Sequence, residues 1–598
     1  MAVKAYTLEA SSYDVLVIGA GGAGLRAALA AVEAGASVAV LSKVPVLHSH
    51  TAAAQGGINA ALGNRTADDW RWHMYDTVRG SDWLGDQDAI ATMCEHAPQA
   101  IIELEHMGVP FTRDANGKIY QRAYGGQSTE YGKGALAYRA CAAADRTGHA
   151  MLYTLQGQAL KAGVKVFEEC VVLDLLMSDA AECLGAIAWR LETGELFTIQ
   201  AKTTIIATGG GGQVFASTTT ASSCTGDGNA FVLRAGLALQ DMEFVQFHPT
   251  ALYGSGLLVS EAARAEGGYL INADGERFME RYAPKYKDLA SRDVISRAIV
   301  QEIREGRGCG PHRDHVQLCL QHLPETTIRE KIPGVAAVSK AFAHLDVTQN
   351  PIPVLPAAHY MMGGIPTNAQ SEVVRWKDGG EEIVPGLLAV GEAACTSVHG
   401  ANRLGCNSLL DLVVFGKAAG QLAAAQAKDT AYLPAIPEAA IEKALSRFDA
   451  MRHAKGGVRV SSLRNTMKEI MHEHAAIYRN DDMLKAGIGR LDELWKIARK
   501  SLSVEDRSLL WNTELAGALE QDNLLYQAKA LLHSAHGRTE SRGAHSRQDY
   551  LERDDANWLA HSLVSVDGNG AVAQHKRPVR LQAEDEDIPH FPLEIRGY

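Results

Sequence analysis

The chain lacks the cysteine spacing from which proteins build most sulfur-ligated metal sites. It contains nine cysteines, and no two of them form a Cys-x-x-Cys pair. Zinc sites and iron–sulfur clusters usually rely on such closely spaced cysteines, so we expect no metal site in this chain. An odd number of cysteines in a long chain also indicates reduced thiols in a cytosol-like compartment.

Long hydrophobic runs, targeting segments and excess positive charge are also missing. No uninterrupted apolar run is long enough to span a bilayer, and residues 1–19 resemble neither a signal peptide nor a transit peptide. The net charge of -12 argues against a nucleic-acid partner, because Lys and Arg supply most phosphate contacts. We therefore expect a cytoplasmic protein that reaches a membrane only through partner proteins.

Glycine, in contrast, is abundant, and one glycine cluster follows an apolar segment near the start of the chain. Residues 14–18 predict a buried strand, 25–34 a helix and 37–41 a second strand. Between the first strand and the helix lies Gly19-x-Gly21-x-x-Gly24. These glycines allow a tight turn, close approach of backbone to a pyrophosphate, and close packing of helix on strand. In this βαβ context the motif predicts a dinucleotide site.

The second strand departs from the usual nucleotide fingerprint. It ends in Ser42-Lys43, where an acidic residue usually binds the ribose. Lys43 argues against a simple NAD site, although it is compatible with NADP, and Ser42 can hydrogen-bond the sugar. Two further apolar strands, 203–207 and 386–390, also run into glycine turns. The three turns can therefore converge on one elongated ligand.

The remaining pattern divides the chain into regions. The segment from about 250 to 355 is rich in charge and histidine, and it resembles an insertion between two halves of a nucleotide-binding domain. From about 433 onward, helical spacing at 463–474, 484–495 and 515–533 predicts a small antiparallel bundle. The last fifty or so residues are polar and contain proline, so we expect an irregular tail.

Further motifs occur in order along nearly the whole chain. They are His48-Ser-His-Thr-Ala-Ala-Ala-Gln-Gly-Gly57, Gln246-Phe-His-Pro-Thr250, Pro356-Ala-Ala-His-Tyr-Met-Met-Gly-Gly364, His399-Gly-Ala-Asn-Arg-Leu-Gly405 and Ser541-Arg-Gly-Ala-His-Ser-Arg547. Together they resemble the flavoprotein subunits of succinate dehydrogenase and fumarate reductase. The resemblance implies oxidation of succinate to fumarate by hydride transfer to covalently bound FAD. Electrons would then pass to an iron–sulfur subunit and on to quinone.

The resemblance also implies a fold. We expect the α/β class, with a Rossmann-like FAD-binding domain interrupted by an α+β capping domain, then a helical domain and an irregular C-terminal domain. The expected bounds are 1–247 and 356–432 for the two parts of the FAD-binding domain, 248–355 for the cap, 433–545 for the helical domain and 546–598 for the C-terminal domain. A cap of this kind would close over the substrate and exclude water.

Matching to the family identifies the cofactor site. FAD is expected to be covalently attached to His50, because alkylating the ring makes a flavin more oxidising, as succinate oxidation requires. His48 departs from the family, which usually has Arg there. The other residues expected to line the site are Gly19, Ala20, Gly21, Gly24, Ser42, Lys43, Thr51, Gln55, Gly56, Gly57, Ala207, Thr208, Gly209, Asp227, Glu392, Arg403, Ser408 and Leu409.

The same matching identifies residues for a dicarboxylate. His248, Ser260, His359 and Arg403 are expected to bind the substrate, with Arg403 on one carboxylate and the two histidines on the other. Ser260 stands where the family usually has Thr.

Three further residues are assigned to proton transfer. Arg292 is the expected proton acceptor, and Glu261 and Arg264 form a relay to solvent. A second carboxylate clamp is the alternative role for Arg292, since arginine normally stays protonated. The neutral Gln55 near the flavin favours succinate oxidation over the reverse reaction.

Other functions compete with succinate oxidation as interpretations of the sequence. Fumarate reductase is the reverse reaction on the same site, and L-aspartate oxidase lacks the flavin-linking histidine. A non-catalytic FAD-binding subunit would not need Arg292, and a nicotinamide enzyme would need a second Gly-x-Gly-x-x-Gly. The family's partners are an iron–sulfur subunit and membrane anchor subunits, which implies a peripheral location on the cytoplasmic face of a bacterial inner membrane. Residues 542–545 are a candidate surface for that assembly.

Overall fold

The computed structural model describes residues 6–583 and 585–596. The first part of the chain alternates strands and helices. Its elements are β1 (Glu9–Ile18), α1 (Gly22–Glu33), β2 (Val38–Leu41), β3 (Ile58–Asn59), α2 (Trp70–Gly80), α3 (Gln87–Met107), β4 (Gln121–Ser128), β5 (Leu136–Cys141), α4 (Thr147–Lys161), β6 (Lys165–Phe167), β7 (Cys170–Met177), β8 (Cys183–Arg190), β9 (Leu196–Ile206), α5 (Asp227–Arg234) and β10 (Leu239–Gln240).

The middle of the chain forms a second group of elements and then returns to the first. The middle group is β11 (Val245–Leu252), α6 (Ala262–Ala265), β12 (Tyr269–Ile271), α7 (Met279–Tyr282), α8 (Arg292–Arg304), β13 (Val316–Cys319), α9 (Glu325–Lys331), α10 (Pro333–Ala343) and β14 (Ile352–Met361). The returning elements are β15 (Ile365–Pro366), β16 (Glu372–Lys377), β17 (Gly380–Ala389), β18 (Ala394–Cys395) and α11 (Asn407–Asp429).

The last part is mostly helical and closes with a hairpin. Its elements are α12 (Glu438–Arg452), β19 (Val458–Arg459), α13 (Val460–Ala475), β20 (Tyr478–Arg479), α14 (Asp481–Ser501), β21 (Leu502–Ser503), α15 (Thr513–Gly537), β22 (Ser546–Arg547), α16 (Asp555–Trp558), β23 (Ala560–Val566) and β24 (Val572–Pro578). Helices α13, α14 and α15 pack against one another, as the helical spacing predicts.

The largest sheet is built around β1. Its main path runs β16-β17-β9-β1-β2-β6, and β1 pairs in parallel with both β9 and β2. Val15 and Val17 pack into the core on one face of the sheet, and Leu16 and Ile18 into the core on the other. A strand buried on both faces is typical of a parallel sheet covered by helices. The predicted βαβ unit is therefore confirmed, and β1 begins earlier than expected, at Glu9.

The order of this sheet brings the three glycine turns together. Strands β17, β9 and β1 are parallel neighbours, so their carboxyl ends lie at one edge of the sheet. Gly19 follows β1, Ala207 follows β9, and Gly391 comes two residues after β17. Ligands of such sheets bind at the carboxyl ends of the strands, where this structure places all three turns.

The middle group has a sheet of its own, with the antiparallel order β11-β14-β13-β12. Helix α8 packs on β11, and a separate apolar core that includes Ile295, Ile299 and Leu318 lies beneath it. The expected bounds of the cap, 248 and 355, fall inside β11 and β14. The domain boundaries themselves stay a prediction.

Helix α11 combines length with apolar composition. Among the described residues it is the one helix that could cross a membrane by these two criteria, and 61% of its most apolar 18-residue window is buried. It packs along α1, where a Cβ on Gly420 would lie 2.1 Å from the carbonyl oxygen of Ala27. Close contact between α1 and α11 therefore requires glycine at this position.

The tail differs from the expectation of an irregular segment. Strands β23 and β24 form an antiparallel hairpin, and β23 also pairs with β10 of the first part of the chain. Leu563, Val564 and Val566 of β23 are buried. The turn contains Asp567-Gly-Asn-Gly570, a sequence that favours hairpin loops. The irregular assignment is therefore wrong for residues 560–578.

Candidate active site

One cavity runs along the carboxyl edge of the large sheet toward the middle group of elements. It is lined by every predicted site residue except Gly24 and Arg264, namely Gly19, Ala20, Gly21, Ser42, Lys43, His50, Thr51, Gln55, Gly56, Gly57, Ala207, Thr208, Gly209, Asp227, His248, Ser260, Glu261, Arg292, His359, Glu392, Arg403, Ser408 and Leu409. Residues matched to the cofactor and residues matched to the substrate thus face one continuous space.

The Gly19–Gly24 turn is packed too closely for any side chain. A Cβ on Gly19 would lie 2.2 Å from the carbonyl oxygen of Ala207, and a Cβ on Gly24 would lie 1.9 Å from that of Gly19. Gly24 therefore packs α1 against the turn and does not face the cavity. Gly21, just before α1, does face it, so the N-terminus of the helix is directed at the cavity, an arrangement suited to an anionic group.

Lys43 is held by acidic groups at the nucleotide end of the cavity. Its Nζ lies 2.8 Å from carboxylate oxygens of Asp227 and of Glu520, and it also donates to Thr225. Burial alone would raise the pKa of Asp227, but the charge of Lys43 keeps this pKa below its usual range. Glu520 comes from α15, far away in sequence, and no local pattern pointed to it.

His50 occupies the middle of the cavity as a neutral imidazole. Burial, together with the positive charge of Arg403, lowers the pKa of His50 to about 4. Its Nδ1 accepts a hydrogen bond of 3.2 Å from the backbone N–H of Ala221. An accepting Nδ1 places the proton of the neutral ring on Nε2.

Polar atoms without partners face the same space. The Oε1 atom of Gln55 is buried and has no hydrogen-bond partner within the described part of the chain. Glu392 accepts a 3.0 Å hydrogen bond from the N–H of Met361, and burial raises its pKa to about 7. A long cavity with a glycine turn at one end and unpaired polar groups along it fits a dinucleotide such as FAD.

Arginine side chains converge at the other end. Arg292, the first residue of α8, donates from Nε to Glu261 Oε2 at 2.8 Å. Arg292 and Arg403 both donate to Gln246 Oε1, at 2.9 and 3.0 Å. Gln246 was not among the expected site residues, although it lies two positions before His248 in the same motif. One amide oxygen thus fixes the spacing of two guanidinium groups.

Arg264 stands behind Glu261 and away from the cavity. Its Nη1 donates to the carbonyl oxygen of Asp288 at 2.6 Å, and its Nη2 lies 3.9 Å from Glu261 Oε2. Burial lowers the pKa of Arg264. Although burial alone would raise it, Arg292 and Arg264 hold the pKa of Glu261 below its usual range. The order Arg292–Glu261–Arg264 expected for a relay is present as a line of contacts.

The two histidines are adjacent and uncharged. The ring centroids of His248 and His359 are 5.0 Å apart. Burial and the nearby Arg292 lower the pKa of each ring well below its usual value. His248 Nδ1 accepts from the N–H of Thr250 at 3.3 Å, so its Nε2 carries the proton. His359 Nδ1 lies 2.7 Å from the hydroxyl of Thr219.

Arg403 has an N–H group that is not used in a hydrogen bond within the described part of the chain. It stacks on the ring of Tyr360, with 4.5 Å between the guanidinium carbon and the ring centre. Its Nε has no hydrogen-bond partner among the described residues. Burial and the neighbouring Arg292 lower its pKa to about 10. A buried guanidinium with an unused donor is well suited to bind a carboxylate.

The candidate assembly surface at 542–545 is not on the surface. Arg542 pairs with Glu540 and Asp555, and His545 accepts from Arg479 Nη1 at 2.8 Å. Arg542 and His545 are both buried. They therefore hold the C-terminal region together instead of facing a partner, and that expectation is wrong.

The fold and the cavity place the chain among FAD-binding flavoproteins. The FAD binding domain family matches residues 14–409, and the fumarate reductase flavoprotein C-terminal family matches residues 464–598. A succinate dehydrogenase flavoprotein subunit from Rickettsia bellii is 54% identical over 597 residues, covering 100% of both chains. An 8-methylmenaquinol:fumarate reductase flavoprotein subunit from Wolinella succinogenes is 40% identical, over 98% of this chain and 93% of its own.

A solved structure agrees with these matches. A quinol fumarate reductase chain from E. coli superposes with a TM-score of 0.91 at 37% identity, covering 98% of this chain and 99% of its own. The chain therefore belongs to the family of succinate dehydrogenase and fumarate reductase flavoprotein subunits, and it is a flavoprotein oxidoreductase. The predicted fold class and family are both confirmed.

Proposed function

We propose that this protein oxidises succinate to fumarate. The observation that carries the proposal is the buried cationic end of the cavity. There Arg292 and Arg403 line the cavity with the carboxylate of Glu261 and two neutral histidines, and Arg264 stands behind Glu261. The excess positive charge is buried, and a dianionic substrate balances it. FAD, bound along the rest of the cavity, supplies the acceptor for the two electrons.

The dicarboxylate is held at both ends by different groups. Arg403 binds one carboxylate through its unpartnered Nε. His248 and His359, being neutral, donate hydrogen bonds to the other carboxylate without adding charge, and Ser260 lies beside them in the cavity lining. Fixing both ends orients the central C–C bond, and positioning of this kind contributes much of an enzyme's rate.

Arg292 is the proposed proton acceptor. Because its guanidinium already carries a proton, Arg292 first passes that proton to Glu261 and is neutral when it takes the proton of the substrate. Its guanidinium is fixed by two hydrogen bonds, one from Nε to Glu261 and one from Nη1 to Gln246. Glu261 then leads to Arg264, so a proton taken from the substrate has a path away from the cavity. The alternative role, a second clamp on a substrate carboxylate, uses the same geometry. These two roles differ in what a substitution does to inhibitor binding.

His50 is the proposed point of covalent attachment. Its Nδ1 is occupied by the N–H of Ala221, which leaves Nε2 as the nitrogen available for a bond to the cofactor. A pKa of about 4 keeps the ring neutral, so Nε2 has only the one ring proton to lose when that bond forms. In His50→Ser we expect flavin to be released by acid precipitation, whereas the wild-type flavin stays with the denatured protein. Release from both proteins would contradict the attachment.

The direction of the reaction follows from charge near the flavin. Gln55 presents a neutral amide to the cavity, and a negative group there would disfavour electrons on the cofactor. Succinate oxidation is therefore the favoured direction. The reverse reaction remains the second candidate, because a fumarate reductase subunit is 40% identical to this chain.

Partners are also part of the proposal. The relatives matched here are named as flavoprotein subunits, and electrons taken from succinate need a further acceptor. We infer that an iron–sulfur subunit receives them, with membrane anchor subunits that reduce quinone. The chain then lies peripherally on the cytoplasmic face of a bacterial inner membrane.

Anaerobic reduction of the bound flavin tests the substrate. Oxidised protein is mixed with succinate, and the visible flavin absorbance is followed with and without malonate. Bleaching by succinate that malonate blocks is the expected result. Bleaching by L-aspartate alone would mean an amino-acid oxidase, and no bleaching by either would mean a non-catalytic flavin-binding subunit.

A further inference from the structure

A second cavity lies in the C-terminal half of the structure, away from the active site. It has a volume of about 560 Å³, within the range of about 300–1,000 Å³ typical of small-molecule sites. Helices α12, α14 and α15 form its walls, and the end of α5 and the β23–β24 turn contribute to its rim. Nothing in the proposed reaction uses this space.

The charge of this cavity is opposite to that of the whole protein. Six basic side chains line it, against three acidic ones, on a chain whose net charge is -12. The basic residues are Arg234, Lys443, Arg447, Lys455, Arg499 and Lys500. A cavity with low-dielectric walls and one sign of charge concentrates ions of the opposite sign.

Two of these arginines are buried and held rigidly. The side chains of Arg234 and Arg447 are 6% and 17% exposed, and both contact Asp174 and Asp522. Asp522 is shared with a third arginine, Arg499. Three guanidinium groups around two carboxylates leave one positive charge uncompensated at the cavity wall. Burial alone would raise the pKa of Asp522, but the three neighbouring arginines hold this pKa below its usual range.

The rim provides cations that are free to move. Lys455 and Lys500 are exposed and make no ion pair within the part of the chain that the structure describes. Arg499 is 32% exposed and stacks on the ring of Trp495. Lys455 and Lys500 can therefore close on a ligand without breaking an existing ion pair.

The remaining lining is apolar. Leu233, Met451, Leu463 and Leu525 face the cavity, as does the ring of Tyr526. A purely inorganic anion would leave these surfaces in contact with water. An organic anion with an apolar or aromatic body matches both kinds of lining.

We propose that this cavity is a binding site for an organic anion, with its carboxylate, phosphate or sulfonate group held by the arginine and lysine side chains and its apolar body against the leucine-rich wall. The site is separate from the substrate site and does not rest on the proposed function.

A line of hydrogen bonds joins the cavity to the cofactor site. Arg234 Nη1 donates to Asn523 Oδ1 at 2.8 Å, and Asn523 Nδ2 donates to Asp227 Oδ1 at 2.8 Å. Asp227 in turn pairs with Lys43, which lines the active-site cavity. An anion that pulls on Arg234 is therefore expected to alter the surroundings of the flavin.

Equilibrium dialysis tests the binding, with 8-anilinonaphthalene-1-sulfonate as the probe. The flavin-loaded protein is used with saturating malonate, so that the substrate site is occupied. One saturable site per chain is expected. Ala450→Trp fills the mouth of the cavity from an exposed position on α12 and should weaken binding at least tenfold, whereas Ala450→Ser should not change it.

A variant with less positive charge provides a second, independent test of binding. Lys455→Gln combined with Lys500→Gln should weaken binding about tenfold, the size of one charged hydrogen bond. The matched control combines Lys496→Gln and Lys428→Gln, two exposed lysines outside the cavity. Equal binding by Ala450→Trp and wild type, or the absence of a saturable site, overturns the proposal. If the charge variant and its control lose the same amount of probe affinity, the anionic group of the probe is not held by the lysines of this cavity, and that part of the proposal is overturned.

The link to the cofactor has its own readout. Saturating probe should produce a difference spectrum in the flavin absorbance of wild type, and Ala450→Trp should show none. A probe that binds in the cavity without any spectral change would contradict the link.

Discussion

The two ends of the active-site cavity recognise their ligands by different means. At the nucleotide end, glycines bring backbone atoms together so closely that a Cβ on Gly24 would lie 1.9 Å from a carbonyl oxygen. The one lysine there, Lys43, is matched by Asp227 and Glu520. Shape and backbone donors therefore carry recognition at this end, and side-chain charge is balanced within the protein.

The substrate end is built the opposite way. Arg292, Arg264 and Arg403 are all buried. Glu261 lies within ion-pair distance of Arg292 and of Arg264. Positive charge exceeds negative charge there, and the dianionic substrate proposed above would balance it. A closely packed turn therefore fixes the shape of one end of the cavity whether or not a ligand is bound, whereas the buried charge at the other end favours the binding of an anion.

Removing the close approach at the nucleotide end should have the largest effect. Gly24→Ala forces a Cβ against the carbonyl of Gly19, and backbone on both sides of the turn has to move. We expect purified protein without FAD, measured by flavin absorbance. Gly157→Ala in α4 is the control, because a Cβ there meets no atom within 4 Å. Normal FAD content in Gly24→Ala would show that shape is not decisive at this end.

At the substrate end, Arg292→Lys should lower the rate of flavin reduction by succinate about 10³-fold. The ammonium group cannot contact Glu261 and Gln246 together as the guanidinium does. If Arg292 is the proton acceptor, malonate affinity changes little, and if it is a clamp, affinity falls in parallel with the rate. Arg304→Lys, in the last turn of the same helix, is the control and should behave as wild type.

Balancing the charge at the substrate end should weaken dianion binding more modestly. Gln246→Glu places a carboxylate where Arg292 and Arg403 now share an amide oxygen. We expect malonate affinity to fall about tenfold while FAD content is unchanged. Gln370→Glu, in an exposed turn, adds the same charge elsewhere. Unchanged malonate affinity in Gln246→Glu would mean that uncompensated charge does not drive substrate binding.

A further prediction concerns stability and not ligand binding, at Glu392, whose pKa is raised to about 7 by burial. An unfolded chain ionises this group near pH 4.5, so folding becomes less favourable as the pH rises from there to about 7, and then levels off. Over this range Glu392→Gln should gain up to about 3 kcal/mol over wild type. Thermal unfolding of both proteins at pH 5 and pH 7.5 measures the difference. An equal Tm difference at both pH values would contradict the raised pKa.

The nucleotide end was readable in the sequence because its signal is local. Gly19, Gly21 and Gly24 stand within one turn, and the strand before them and the helix after them were both predicted. The parallel order of the sheet explains why turns from three distant segments meet. The hairpin at 560–578 also had a local signal, the apolar residues Leu563, Val564 and Val566 before an Asn-Gly turn, which the polar composition of the whole tail outweighed.

The substrate end depends on contacts that no short pattern contains. Gln246 bridges Arg292 and Arg403 only because β11, α8 and the segment after β18 meet in space. Glu520 reaches Lys43 from a different part of the fold for the same reason. The resemblance identified the arginines and histidines by their motifs, but their hydrogen-bond partners lie in distant segments that only the fold brings together. Burial also argued against residues 542–545 as the surface for partner subunits, because Arg542 and His545 lie inside the fold.

A crystal structure of the flavin-loaded protein with malonate tests the central claim most directly. One carboxylate should lie within hydrogen-bond distance of Arg403 Nε, and the other should accept from His248 and His359, with Arg292 facing the carbon between them. Malonate bound elsewhere in the cavity, or bound with Arg292 and Arg403 still making only their contacts to Gln246, would contradict the account of a cationic end completed by its substrate.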